Sequence, residues 1–90
     1  MPYSIGYHPQ AEAVLSSLDS KERSRVLARI CRLADRGLSD PHVARLEAST
    51  DTDPAYVLRA GNNLRVVFSA NRESITVLDV LNKHFAERYG

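Results

Sequence analysis

Two arginines lie inside runs of β-forming residues, which is an unusual place for a charge. The stretch Tyr56–Phe68 carries Arg59 before and Arg65 after a Gly-Asn-Asn sequence, and that sequence is typical of a tight turn between two strands. A charge in the middle of a strand is costly unless the face that carries it is wetted or functional. The placement therefore predicts a functional face. The alternative is an arginine that keeps the sheet soluble or pairs with Asp79.

A second group of arginines is spaced to share one face of a helix. We call this group the basic ridge; its members are Arg25, Arg29, Arg32 and Arg36. Spacings of four, three and four residues place them within about 60° of one another on a helix. Such a ridge suits the phosphates of RNA, with salt-sensitive affinity, or an acidic protein partner. A helix face that is simply solvated is the alternative.

Local patterns predict the first elements that position these arginines. Alternating apolar residues predict a strand at Tyr3–Tyr7, and helical spacing predicts a short helix from Ala11 to Leu18. Asp19 is a predicted N-cap, with Glu22 three residues later, for a second helix that carries the basic ridge and ends at about Arg36. Gly37 is the predicted left-handed C-cap of that helix. Two helices joined so closely form an antiparallel hairpin.

The apolar face of the second helix gives a first estimate of the core. Its predicted members are Val26, Leu27, Ile30, Leu33 and Ala34. Cys31 lies beside this stripe and is expected to be a small core residue. A single cysteine excludes an internal disulfide framework and fits the reducing cytoplasm, where we expect the protein to act. The first ten residues do not have the pattern of a signal peptide.

The rest of the chain predicts a sheet. Residues 38–54 read as a loop, with Val43 and Leu46 anchored in the core. Three strands follow, at Tyr56–Ala60, Leu64–Ser69 and Ile75–Val80. The predicted fold is one α+β domain over residues 1–90, in the order β-α-α-β-β-β. In it a helical hairpin packs on one face of a mainly antiparallel four-stranded sheet, which leaves the other face, with Arg65, open.

Composition limits the classes of function. A chain of 90 residues with 43% hydrophobic and 26% charged residues is long enough for one modest core. No apolar run approaches the length of a membrane span, so no membrane partner is expected. The net charge of +1 alone argues for no partner. The three histidines lack metal-ligand spacing, and we expect neither a metal nor a cofactor.

The order of short motifs along nearly the whole chain resembles the RelE/ParE superfamily of bacterial type II toxins. The matching segments are YHPQA at residues 7–11, VLARICRLADRG at 26–37, LRAGNNLRVVF at 58–68 and ITVLDVLNKHFAERY at 75–89. The resemblance implies the same α+β fold. It also implies a cytoplasmic toxin that is held inactive by a cognate antitoxin protein.

Within the superfamily, similarity to RelE-like members implies metal-independent cleavage of mRNA on the ribosome. Arg65 matches the strand arginine that contacts the scissile phosphate in those members. Lys83 falls where they have a second catalytic arginine, and Tyr89 where they have a terminal tyrosine. His84 is a nearby imidazole that suits acid–base chemistry. Arg59 and the basic ridge are then expected to bind RNA.

Departures from the family pattern keep other activities open. Counted back from Arg65 at the family's spacing, Tyr56 and Leu58 occupy the positions at which RelE-like nucleases have lysines. Some of those nucleases also have a glutamate at the position of Ala44. With a one-residue gap in the turn, Arg59 becomes the basic residue of its strand. The alternatives are a ParE-like inhibitor of DNA gyrase without nuclease activity, and an inactive member that only binds a partner.

Overall fold

A computed structural model describes residues 3–46, 54–61 and 63–82 of the chain. The elements are β1 (Ser4–Tyr7), α1 (Pro9–Ser17), α2 (Ser20–Arg36), β2 (Val43–Arg45), β3 (Ala55–Arg59), β4 (Leu64–Ala70) and β5 (Ser74–Asn82). A short 3-10 turn at Gly37–Ser39 connects α2 to the segment that leads into β2. No helix within the described ranges is long and apolar enough to cross a membrane.

The strands form one five-stranded sheet in the order β1-β5-β4-β3-β2. The first pairing is parallel, with Ser4 beside Ser74, and the other three are antiparallel. The α+β class is confirmed, but the predicted count of four strands is wrong. The additional strand, β2, lies in the segment predicted as a loop, where Val43 pairs with Leu58 of β3.

The caps of the two helices follow the sequence, with two differences. α1 begins at Pro9, two residues earlier than predicted, because the ring nitrogen of His8 accepts a hydrogen bond from the Gln10 N–H. The Asp19 carboxylate accepts from the Glu22 N–H at 2.8 Å, which confirms that N-cap. Gly37 does cap α2, but its φ of 62° and ψ of −147° are not left-handed helical. Essentially only glycine adopts that region.

The core lies between the helical hairpin and one face of the sheet. Its buried members come from both helices and from three strands: Ala11, Leu15, Val26, Ile30, Leu33, Leu58, Ala60, Val66, Phe68, Ile75, Val77 and Val80. The side chain of Phe68 is fully buried, and its ring stacks on that of Tyr56 with centroids 5.5 Å apart. We call the opposite side of the sheet, which no described helix covers, the open face.

Two predicted core residues of α2 lie at the surface instead. Leu27 is 38% exposed, and Cys31 is exposed as a free thiol. Each follows a core residue, Val26 or Ile30, by one position. One residue turns the helix by about 100°, which is enough to leave the narrow buried stripe.

Partial burial raises the pKa of Tyr7, and the negative charge of an ionised Cys31 raises it further.

Candidate nucleic-acid interface

Arg59 and Arg65 lie directly opposite each other on β3 and β4. Their strand neighbours Leu58 and Val66 are fully buried in the core, so the alternation of side chains puts both arginines on the open face. Like charges directly opposite each other in a sheet are destabilising. An anion bound between the two guanidinium groups would remove that repulsion.

Hydrogen bonds to the turn hold the Arg65 side chain in place. Its Nη1 donates to the carbonyl oxygen of Leu64 at 2.9 Å and to that of Gly61 at 3.2 Å. A guanidinium has five N–H donors, so most of its donors remain for a ligand. The Arg59 side chain is exposed and makes no hydrogen bond or ion pair with another residue in the described ranges. The pair therefore combines one guanidinium held by the turn with one that makes no hydrogen bond or ion pair with the described residues.

The register of β3 also resolves the placement of the basic residue on that strand. Tyr56 and Leu58 face the core, where Leu58 is fully buried. A cation on the open face of β3 must therefore come from Ala55, Val57 or Arg59. Only Arg59 is basic, and it lies opposite Arg65 as the one-residue gap in the turn predicts.

The basic ridge borders a groove beside the same turn. Arg25, Arg29 and Arg32 line a cavity of about 380 Å³ together with Ala28, Ala60 and Gly61. Within the part of the chain that the structure describes, the side chains of the ridge arginines donate no hydrogen bond to a side chain or carbonyl group. Arg36 continues the ridge to the end of α2 and is exposed. Four guanidinium groups on one helix face are thus left to solvent or to a partner.

Gly61 joins the two groups of arginines. It lines the groove under the basic ridge, and its carbonyl oxygen accepts the hydrogen bond from Arg65. Its φ of 102° is one that side-chain-bearing residues rarely adopt. The turn between β3 and β4 therefore has cations on both sides, the ridge on the helix layer and the Arg59–Arg65 pair on the open face.

The alternative role for Arg65, an ion pair with Asp79, is not found. One Asp79 oxygen accepts from the side-chain nitrogen of Gln10 at 2.7 Å, and the other accepts from the Val80 N–H at 2.9 Å. The sequence pattern does not predict this contact between β5 and α1. Its only signal was an acidic residue within the apolar run of β5.

Three predicted catalytic residues, Lys83, His84 and Tyr89, lie outside the described residues. β5 ends at Asn82, one residue before Lys83, and Leu81 pairs with Arg65. Among the described residues, no group of three or more histidine, cysteine, aspartate or glutamate side chains is arranged to hold a metal ion.

Comparison with known proteins places this geometry in a wider context. Neither a protein-family model nor a curated protein sequence matches the chain. Solved structures do match, among them a chain of the archaeal RelE–RelB complex from Pyrococcus horikoshii. It is 26% identical, with a TM-score of 0.73 over 92% of this chain and 97% of that one. The chain has the fold of the RelE-like toxins.

Two further structures agree with that assignment at lower identity. The RelBE2 toxin–antitoxin complex from Mycobacterium tuberculosis matches with 15% identity and a TM-score of 0.75, over 92% of this chain and 100% of that one. The YoeB dimer from Staphylococcus aureus matches with 17% identity and a TM-score of 0.72, over 90% and 97%. The predicted resemblance to the RelE/ParE superfamily is confirmed. In this RelE-like fold, the Arg59–Arg65 pair lies on the open face of the sheet.

Proposed function

We propose that the protein is the toxin of a type II toxin–antitoxin system and cleaves mRNA on the ribosome without a metal ion. The observation that carries the proposal is the pair Arg59 and Arg65, opposite each other on the open face. Two like charges held together in a sheet favour binding of an anion. In an RNA substrate that anion is a phosphate of the backbone.

Cleavage of RNA without a metal ion uses the ribose 2′-hydroxyl as the nucleophile. The reaction needs a base for that hydroxyl, an acid for the leaving 5′-oxygen and cations for the charge that develops on the phosphoryl oxygens. Arg65 supplies the cation at the scissile phosphate, since its fork binds two oxygens at once and its contacts with the turn fix its position. Arg59 binds the same phosphate or the next one from β3.

The remaining chemistry is assigned to the C-terminal residues. Lys83 provides a second positive charge near the phosphate, as a point charge without the planar fork of an arginine. His84 acts as the acid or base. Tyr89 stacks on a base of the RNA or takes part in proton transfer. These three roles come from the family resemblance.

The basic ridge supplies the affinity for the ribosome. Its four arginines contact phosphates without reading sequence, so binding weakens as salt rises. Replacing one ridge arginine is expected to lower affinity for ribosomes without changing the positions of the cuts.

An antitoxin protein is the proposed partner in the resting cell. The RelE–RelB and RelBE2 structures that resemble this chain are toxin–antitoxin complexes by name. The open face and the edge strands β1 and β2 are the surfaces on which such a partner would bind, because edge strands present unpaired backbone groups. An acidic partner would also neutralise the basic ridge.

A ParE-like inhibitor of DNA gyrase is the second candidate, and Val57 is the observation that favours it. Val57 occupies the other central open-face position of β3, beside Val67 of β4. At this position the open face is apolar, whereas a nuclease with the RelE-like pattern has a second basic residue. A protein partner would bind such a surface more readily than RNA.

Mutants of the arginine pair test the proposal. Wild type and the variants Arg65→Ala, Arg59→Ala and Arg72→Ala are expressed in cells, and mRNA 5′ ends on ribosomes are mapped while plasmid supercoiling is measured. Arg72 is the matched control, an exposed arginine in the turn between β4 and β5. We expect cuts within codons for wild type and Arg72→Ala, and a loss of about 100-fold or more for Arg65→Ala.

Two outcomes would reject the nuclease. Full cleavage by the Arg65→Ala protein would show that Arg65 takes no part in the reaction. Loss of supercoiling without mRNA cuts in the wild type would select gyrase inhibition instead. Thermal unfolding of each variant separates a lost function from a lost fold.

A further inference from the structure

Asp79 is a buried carboxylate without a described cationic partner. Asp79 is only 7% exposed, and it lies in β5, an interior strand between β1 and β4. Its two oxygens accept from neutral donors, the amide of Gln10 and the N–H of Val80. An ionised carboxylate has about four lone-pair sites, so roughly two remain unused. A carboxylate with unused lone pairs can accept further hydrogen bonds from a ligand.

The carboxylate borders a pocket on the open face. The pocket has a volume of about 270 Å³ and is lined by His8, Gln10, Val67, Leu78 and Asp79. It forms where the ladder between β4 and β5 changes register, because Leu78 is an extra residue between the pairs Val67–Asp79 and Phe68–Val77. Such bulges re-aim side chains and are frequent next to active sites.

The pocket has apolar walls and a polar end, which is the arrangement that binds a flat heterocycle. Val67 and Leu78 offer surface for the faces of a ring, while Asp79 accepts hydrogen bonds from its edge. His8 accepts from the Gln10 N–H through Nδ1, which leaves its Nε2 to carry the proton of the neutral ring and to donate.

Guanine is the base whose edge complements these groups. Its Watson–Crick edge has two adjacent N–H donors for a carboxylate, next to an oxygen that accepts from a donor such as His8. Adenine and cytosine present a single amino group there, and uracil a single N–H, so only guanine engages both oxygens of Asp79. We propose that this pocket binds a guanine base of the RNA and sets the sequence preference of cleavage.

The position of the pocket fits a nucleotide next to the scissile phosphate. Val67 lies two residues after Arg65 on β4 and pairs with Asp79. Strand geometry thus separates the Cα atoms of Arg65 and Asp79 by about 8 Å. A phosphate at Arg65 and its neighbouring base in the pocket would belong to one nucleotide unit. The inference rests on the proposed function, because that function brings RNA to the open face.

A binding experiment tests the pocket without any cleavage. Isotope-labelled protein is titrated with GMP and with AMP, and the backbone amide signals of Val67, Asp79 and Val80 are followed by NMR. We expect GMP to bind more tightly than AMP by about fivefold to 150-fold, the range for one two-point contact with a base. Asp79→Asn should abolish that difference, while Asp35→Asn, an exposed acid on α2, should keep it.

Mapping of cut sites tests the same pocket during the reaction. Wild-type cuts should be enriched for guanine at one fixed position beside the cleaved bond, and Asp79→Asn should lose that enrichment while still cutting. If Asp79→Asn is poorly folded, Leu78→Trp is used instead, since Leu78 is half-buried and a larger ring there fills the pocket. This variant should also lose both the GMP preference and the enrichment.

The outcomes separate this inference from the proposed function. Equal binding of GMP and AMP would refute the guanine pocket, and so would a guanine enrichment that Asp79→Asn leaves unchanged. Neither result would contradict the proposed nuclease activity. If the Asp79→Asn protein is well folded but cuts all sites less by the same factor, the guanine pocket is also refuted, because Asp79 would then act in the reaction itself. If wild type cuts no mRNA, the nuclease fails, and the titration alone decides whether the pocket binds guanine.

Discussion

Arg23 joins the two helices, and its replacement is a sharp test of how the hairpin is held. The side chain projects from the first turn of α2 towards the C-terminal end of α1. Its Nε donates to the Leu15 carbonyl oxygen at 2.9 Å, and its Nη2 donates to those of Ser16 at 3.1 Å and Leu18 at 2.8 Å. These carbonyl groups lie at the C-terminal end of α1, where a helix leaves backbone acceptors unused. The Leu15 oxygen also accepts from the Leu18 N–H at 3.3 Å.

The expected cost of Arg23→Ala follows from these contacts. A hydrogen bond with a charged donor contributes roughly 1.5–3 kcal/mol, and a cation at a helix C-terminus adds about 0.3–1 kcal/mol. The three bonds share one half-exposed side chain and cannot be summed, so we expect a net loss of about 2 kcal/mol. For a domain of this size that corresponds to a fall of about 8–16 °C in Tm.

The assay is urea and thermal unfolding followed by circular dichroism. Arg25→Ala is the matched control, since the Arg25 side chain is exposed on the same helix and donates no hydrogen bond to a described residue. It should change stability by no more than about 0.5 kcal/mol. Arg23→Lys, which keeps the charge but not the fork, should fall between the two. Equal stability of the Arg23→Ala and Arg25→Ala proteins would refute the reasoning.

Two further predictions concern the end of α2 and the edge of the core. Gly37→Ala should cost at least about 2 kcal/mol in the same unfolding assay, because its φ of 62° is strained for alanine and the new Cβ would lie 2.6 Å from Cε1 of Tyr3; wild-type stability would contradict this. Tyr7 should ionise above its ordinary pKa in an absorbance titration, and Cys31→Ser should lower that pKa. Because folding raises the pKa of Tyr7, its contribution to stability is complete below about pH 10 and is lost as pH rises through the folded-state pKa.

Much of the fold could be predicted because local patterns fix local structure. The alternation around Arg65 identified β4 and its core-facing side chains, and Asp19 marked the start of α2. The strand β2 was missed because three residues, Val43–Arg45, are too few for a pattern. What makes them a strand is pairing with β3, a tertiary interaction.

The candidate site was predictable in part for the same reason. Opposite placement of Arg59 and Arg65 follows from the alternation and the turn. The surroundings of Asp79 do not, because the bulge at Leu78 shifts the register and the partner Gln10 is 69 positions away in sequence. Cys31 was misplaced because residue type suggested burial, whereas one step around the helix from Ile30 brings it to the surface.

The position of β5 in the sheet affects the order in which the sheet can form during synthesis. β5 lies between β1 and β4, yet it is made after the other four described strands. Until it leaves the ribosome, β1 has no strand to pair with, and β4 lacks one of its two neighbours. The Arg59–Arg65 pair therefore gains its complete support only after β5 has been made. A nascent chain that has not yet made β5 is expected to lack the complete arginine pair. Under the proposed function, that interval would give an antitoxin time to bind each new chain before it acts.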